Sequence, residues 1–493
     1  MIRKLRGQPL PPKPAAMIEA LRDIGYSLEA AVADIIDNSL TARARTVHIR
    51  YGWDQEQPWM AIIDDGQGMS EPELIEAMRL GSRNPRDQRS REDLGRFGLG
   101  LKTASFSQSR CLTVASRKAG AVSARRWDLK EVSQNDEWTL LTVPDRELET
   151  LPTFSELSHD GTYVLWQQMD RLDIGPYGDR AHTILNERAQ SIRKHVALVF
   201  HRFMSPEPGI QRVKILINNN EIEPFEPFNA RNPATDHLIE ERVRIEDEEV
   251  LIQAYVLPHH TKVPPAEYEK YAGEDGYLRS QGFYIYRNRR LIRHGTWFRL
   301  CRQEELTKLA RVRIDIPNSL DHLWTIDVRK SRASPPETVR NRMRQVVDKI
   351  RGSARRPYTH RGEAIQARNT SPVWLRRAFN DRISYEINRE HPLVEDLRSD
   401  LDEDARRRFD AVMRMIGSSF PVPLMFSDMG ANPRKVESPL PDEALLAELA
   451  RMMRNANPGV DNSELKSLLM RVEPFASWPN VIDRIIEEAS KGK

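Results

Sequence analysis

Four short runs in this chain carry residues whose types and spacing fit phosphate and nucleotide chemistry. In LEAAVADIIDNSLTARA, starting at Leu28, Asp34 and Asn38 stand four apart, so a helix would stack one above the other. An amide oxygen can ligate Mg²⁺, a hard cation that keeps several waters and takes further ligands from substrate phosphates. A carboxylate one turn away can orient a water. The apolar positions Leu28, Ala31, Val32, Ile35 and Ile36 make a separate stripe, so the helix alone also reads as an ordinary amphipathic one with a solvated face.

The second run is IIDDGQGM, residues 62–69. Asp64 ends a strand and would accept a hydrogen bond from an exocyclic amine such as that of adenine, with Met69 packed on the ring. Gly66 and Gly68 let the chain turn and bring the backbone near a flat ring. A plain glycine turn between strand and helix is the alternative. The third run is DLGRFGLGLKTAS, residues 93–105. It is no Walker loop, because Leu101 separates Gly100 from Lys102. It is no dinucleotide fingerprint either, because its glycines fall at Gly95, Gly98 and Gly100. It does offer close backbone approach and a helix from about Leu99 whose free amides would aim at phosphate, with Lys102 and Thr103 in the first turn. The fourth is Gly161-Thr162, which puts a hydroxyl on a later strand where it can support Asp64.

The elements needed to position these runs are legible in outline. Helices are expected from Met17 to Ile24, from Leu28 after the N-cap Ser27, and over SEPELIEAMRLG, where Ser70 and Glu73 form a capping box. TVHIRY, WMAIID, CLTVASR, SARRWDL, WTLLTV and GTYVLWQQM alternate as strands. Together they predict an α/β sandwich with helices on one face of a mixed sheet. A long helix is expected from about Tyr177 to Phe203. KILINNNEI, EVLIQAYVL, GFYIYRNRRLI and RVRIDIP then predict a second α/β segment, with hairpin turns at Asn218-Asn219-Asn220 and Arg287-Asn288-Arg289. A helix from Pro335 to about Arg351 closes it. Beyond a polar linker the chain reads as mainly helical.

The 493 residues carry 39% hydrophobic and 30% charged residues with a net charge of +3, so composition demands no nucleic-acid partner. Two cysteines exclude a disulfide framework and a cysteine-rich zinc module, and point to a reducing, cytoplasmic setting. No run approaches the roughly 18 apolar residues of a membrane span. MIRKLRGQPLPPKP is a basic, proline-bearing arm with no apolar run after it.

The four runs, in this order within one α/β domain, resemble the GHKL ATPase superfamily of gyrase B, MutL and the histidine kinases. The form GRFGLGLKTAS is most like that of the MORC group, here its prokaryotic members. The resemblance implies an α+β chain: an arm (1–16), a Bergerat-fold ATPase domain (17–175) and an S5-like transducer domain (176–352). A linker (353–372) and a helical C-terminal region (373–493) follow. It implies ATP and Mg²⁺ as cofactors, with Mg²⁺ on Asn38. Nucleotide contacts would come from Asn38, Asp64, Gly66, Gly68, Met69, Gly95, Phe97, Gly98, Leu99, Gly100, Leu101, Lys102, Thr103 and Thr162. Residues 82–94 would be the mobile part of a phosphate lid.

Asp34 takes the position of the superfamily's general base, usually Glu, and is one methylene shorter, so slow turnover is expected. Thr41 replaces an acidic residue common in the family. In WTIDVRKSRASPP, Lys330 matches the transducer lysine that reaches the γ-phosphate, with Arg329 and Arg332 as rivals. Catalysis is therefore expected from Asp34 and Lys330, because cations on a transferring phosphoryl group stabilise developing charge. The implied function is an Mg-ATP-driven clamp that forms a homodimer on ATP binding, acts on double-stranded DNA, and serves with partner proteins in a restriction or phage-defence system. The alternative is a chaperone-like or protein-partnered switch with weak hydrolysis. A histidine kinase fits poorly, because no histidine precedes Leu28.

Overall fold

The structure is a computed structural model in which the described residues are 10, 12–23, 25–54, 57–81, 100–172, 180–205, 211–238, 240–326, 333–350, 370–379, 382–431 and 441–491. The chain divides into two compact units, 1–350 and 351–493.

The first unit opens with α1 (Pro14–Arg22) and α2 (Leu28–Thr41). Ser27 caps α2, its Oγ accepting the Ala30 N–H at 3.3 Å. The stripe Leu28, Ala31, Val32, Ile35 and Ile36 is buried. Next come β1 (Thr46–Asp54), β2 (Gln57–Asp64), α3 (Glu71–Met78) and α4 (Gly100–Gln108). At the start of α3 the Ser70 N–H and hydroxyl both donate to the Glu73 carboxylate, at 2.7 and 2.8 Å. Then follow β3 (Cys111–Lys118), β4 (Ala121–Asp128), α5 (Leu129–Asn135), β5 (Leu141–Thr142), α6 (Asp145–Leu148) and β6 (Gly161–Gln167). Finally α7 (Arg180–Val199), α8 (His201–Met204), β7 (Lys214–Ile217) and β8 (Asn220–Glu221) complete this layer.

The eight strands form one sheet in the order β5-β4-β3-β6-β2-β1-β7-β8. Side chains alternate across it with period two. Val47, Ile49, Met60, Ile62, Val114 and Trp166 face the helices, meeting Ile18, Val32, Ile36, Phe106, Ile192 and Phe200. Ala61, Ile63, Ala115, Tyr163 and Leu165 face the other way, onto Leu148, Leu151 and Leu157. The sandwich therefore carries its long helices on one face, as expected.

One strand is placed differently from the sequence reading. KILI does not open the second segment: Thr46–Ile49 of β1 pair in parallel with Lys214–Ile217 of β7, so the first sheet runs on past residue 175 to Glu221. The reason is burial, since Ile215 and Ile217 join the core beneath α7.

The second sheet contains β9 (Asp236–His237), β10 (Glu241–Ile245), β11 (Glu248–Val256), β12 (Gly282–Arg287), β13 (Arg290–Thr296) and β14 (Ala310–Ile316). Its order is β10-β11-β14-β12-β13, with β9 added on β11. The two-residue turns Asn218-Asn219 and Asn288-Arg289 have φ of 43°, 70°, 47° and 69°, the left-handed pair that tight hairpins require. Residues 337–350 form a helix that buries Val339, Met343, Val346, Val347 and Ile350.

The second unit is not wholly helical. Trp374–Phe379 pair antiparallel with Arg382–Ile387, a hairpin whose several charged residues hide its alternation. The helices Pro392–Ser399, Glu403–Ser418, Val422–Ala431, Glu443–Ala456, Asn462–Leu469 and Ile482–Lys491 follow. Leu446, Ala450, Leu465, Leu469, Phe475, Ile482 and Ile485 make its core. Among the described residues, no helix is long and apolar enough to cross a membrane.

Candidate functional site

Three of the four runs meet around α2. Asp34 is 3% exposed, and its Oδ2 accepts the Tyr26 hydroxyl at 2.9 Å. Gly100, the first residue of α4, faces that carboxylate: a Cβ there would lie 3.6 Å from Asp34 Oδ2. One turn further along α2, Asn38 is exposed, with its amide open to solvent-borne ligands. Thr41, which stands where the family commonly has an acid, instead donates its hydroxyl to the Asp37 carbonyl at 2.8 Å.

Asp64, at the end of β2, is 8% exposed. Its Oδ2 accepts the Ser39 hydroxyl at 2.8 Å and its Oδ1 accepts the Gly66 N–H at 2.9 Å. Burial pushes its carboxyl up to about 6, while hydrogen bonds from Ser39 and from the backbone of Gly66 and Thr162 pull the other way. Thr162 therefore supports Asp64 through its backbone, and the hydroxyl role expected of it belongs to Ser39. The Thr162 hydroxyl lies 3.3 Å from Ser116 Oγ, which donates to the Gly161 carbonyl at 2.8 Å and accepts the Met69 N–H at 2.8 Å. Ser116 thus ties the Met69 backbone to β6, and Met69 packs against the main core.

The glycines of this box serve the chain itself. A Cβ at Gly66 would stand 2.8 Å from that of Ala42. A Cβ at Gly68, which has φ of +63°, would stand 1.9 Å from the Arg117 carbonyl oxygen. Close approach of backbone to backbone therefore demands them before any ligand arrives.

Lys102 and Thr103 are not turned outward. Lys102 is 2% exposed, and its Nζ donates to the Ala77 carbonyl at 2.8 Å, a cation on the last turn of α3. Thr103 is fully buried, and Leu101 packs on the main core. Residues 82–99, which lead into Lys102 and Thr103 at the start of α4, lie outside the described residues. Gly95, Phe97, Gly98 and Leu99, the lid 82–94, and Lys330 with its rivals Arg329 and Arg332 lie outside the described residues.

The sequence reading passed over Arg290. It is 5% exposed at the start of β13 and reaches α2. Its Nε donates to both Asp37 oxygens at 2.9 and 2.8 Å, and its Nη2 stands 3.8 Å from Asp34 Oδ1. Asp37 is 1% exposed, so its charge needs this partner. The signals available in sequence were Asp37 itself, a charge beside an apolar stripe, and the arginine-rich hairpin YRNRRLI. Nothing links two positions 253 residues apart.

Residues 26–163 match the family model of histidine kinase-, DNA gyrase B- and HSP90-like ATPases. That span takes in Tyr26, α2, the Asp64 box, α4 and Thr162, and leaves out Arg290. The chain is also 30% identical over 167 residues to ATPase morc-1 of Caenorhabditis elegans, a stretch that covers 33% of this chain and 19% of that protein. The chain thus spans about a fifth of the length of the curated relative it matches.

Proposed function

The N-terminal domain of this chain belongs to the GHKL ATPase superfamily and is MORC-like within it, and from that premise we propose that it binds and slowly hydrolyses Mg-ATP as a nucleotide-driven switch. The observation that carries the proposal is the set of groups on and around α2. These are a buried carboxylate against the first glycine of α4, an exposed amide one turn on, and a buried Asp64 anchored by Ser39 and Gly66.

In this reading Asp64 accepts a hydrogen bond from the adenine amine. Gly66 and Ser39 fix its oxygens so that little ordering is left for the bound state. Asn38 supplies an amide oxygen to Mg²⁺, which neutralises phosphate charge when bound. Asp34 receives the proton of the attacking water, held in place from behind by the Tyr26 hydroxyl. Its short side chain is the reason to expect slow turnover.

The MORC likeness extends the proposal to two copies joined by ATP binding, with double-stranded DNA as the client and a prokaryotic restriction or phage-defence setting. The test is Mg-ATP hydrolysis by the whole chain, with and without long duplex DNA, at two salt concentrations, with Asp34→Ala as the blank. Stimulation by DNA that weakens as salt rises supports this reading, because phosphate contacts release counterions. A protein client is the second reading, favoured by one observation. The second unit exposes Met415 (59%), Val412 (48%), Ile416 (42%) and Leu424 (68%), apolar surface that a phosphate backbone would not cover. Hydrolysis indifferent to DNA selects it.

A further inference from the structure

Resting on the ATPase reading above, we infer that Arg290 is a positioning residue for Asp34, through which the second sheet sets the turnover of the cleft.

Arg290 begins β13, directly after the two-residue turn Asn288-Arg289 that joins it to β12, so it moves with the second sheet. Its guanidinium is bound on every side. Nε holds both oxygens of Asp37, Nη1 donates to the Leu291 carbonyl at 3.1 Å, and the group lies over the Phe200 ring at 5.7 Å. His195 on α7 does not share the load, because burial and the charge of Arg290 push its imidazole down to about 4 and leave it neutral. With Nε committed to Asp37, the planar fork leaves Nη2 at ion-pair distance from Asp34 Oδ1, 3.8 Å away. The Tyr26 hydroxyl holds the other oxygen. The carboxylate that must face a water beside Gly100 is thus aligned from two directions. One is local to α2 and the other comes from a different sheet.

Arginine suits this task and lysine does not. A point charge can answer Asp37 or Asp34, whereas a rigid fork addresses both from one place. A shift of the β12–β13 hairpin would change the field and the alignment at Asp34, whereas the side chain of Asp64 is held by Ser39 and Gly66. Such a device acts on the chemical step and not on nucleotide binding.

A merely structural account is that Arg290 neutralises Asp37 and nothing more. The double variant Asp37→Asn/Arg290→Gln separates the two, because it removes both charges of that pair together and so does not leave Asp37 as a buried charge without its counterion. The measurement is kcat and KM for Mg-ATP on the full chain, beside thermal unfolding. The expected result is unfolding close to the native temperature, KM within about threefold of native, and kcat lowered tenfold or more. Native kcat in the folded double variant overturns the inference and leaves Arg290 as the counterion of Asp37. If that variant does not fold, Arg290→Lys decides: kcat reduced several-fold at native KM supports the inference, and native kcat overturns it. A native chain without Asp34-dependent hydrolysis overturns the ATPase reading, and this inference falls with it.

Discussion

At the scale of the residue, Asp64 has the most specific chemistry. Its side chain accepts from Ser39 and Gly66, so replacing it by Asn presents a donor to groups that are themselves donors. Asp64→Asn should therefore abolish ATP binding as read by calorimetry, and tight binding to that variant would sink the site assignment. Asn38→Ala should likewise abolish Mg-ATP binding. Asp34→Ala should leave binding within a few-fold of native and stop turnover, because Asp34 is placed for the water and not for the nucleotide. The pH dependence of Asp64 has a definite sign. A carboxyl raised from 3.8 to about 6 binds its proton more tightly in the native chain than in the unfolded one. Stability from this group is then fullest below about pH 4 and falls as pH rises to about 6, by about 3 kcal/mol at most. Denaturant titrations at pH 4.5 and 7 should differ less in Asp64→Asn than in the native chain. Nucleotide affinity should run the opposite way and strengthen from pH 5 to 7, since the amine needs the ionised acceptor.

At the scale of the element, α1 and α4 are joined by one buried cation. Arg22 is 1% exposed. Its Nη1 donates to the Phe106 and Ser109 carbonyls at 3.0 and 2.9 Å, covering the C-terminal end of α4, and its Nη2 holds both oxygens of Asp170 at 2.6 and 2.8 Å. Removing it leaves the helix end without its donor and leaves Asp170 to Arg110, whose Nε donates to it at 2.6 Å. Arg22→Met should lower stability by about 1–3 kcal/mol, measured by urea unfolding, while the folded fraction keeps its nucleotide affinity. Gly68→Ala should destabilise as well, by at least about 1–3 kcal/mol, because the left-handed backbone is strained for alanine and the new methyl meets the Arg117 carbonyl. These elements also show what sequence can and cannot disclose. The Ser27 cap, the Ser70–Glu73 box and the two hairpin turns were legible, because each is settled by residues within four positions. The pairing of Ser39 with Asp64 joins positions 25 apart, and that of Arg22 with Asp170 joins positions 148 apart. Local pattern has no access to either, and so Thr162 stood in for Ser39.

At the scale of the whole molecule, the described cleft lies within the first unit, and each unit has its own core. The strand Lys214–Ile217 illustrates why the division within the first unit was hard to place. Its composition suits either sheet, and only the parallel pairing with Thr46–Ile49 assigns it to the first. The cleft and Arg290 both fall within residues 1–350, so a chain cut after Ile350 should keep Mg-ATP binding within about threefold of the full chain. It should also keep Asp34-dependent hydrolysis. What the cut should remove depends on the client. If the second unit holds duplex DNA, the truncated chain loses stimulation by DNA while its basal rate is unchanged, and the salt-dependent DNA binding seen with the full chain is lost with the cut. If DNA contacts lie on the first unit, stimulation survives the cut. The exposed residues Val412, Met415, Ile416 and Leu424 are then left as the surface whose occupant is a protein. Charged replacements at Met415 and Leu424 in the full chain should release that partner without altering basal hydrolysis, because neither side chain belongs to the core of its unit.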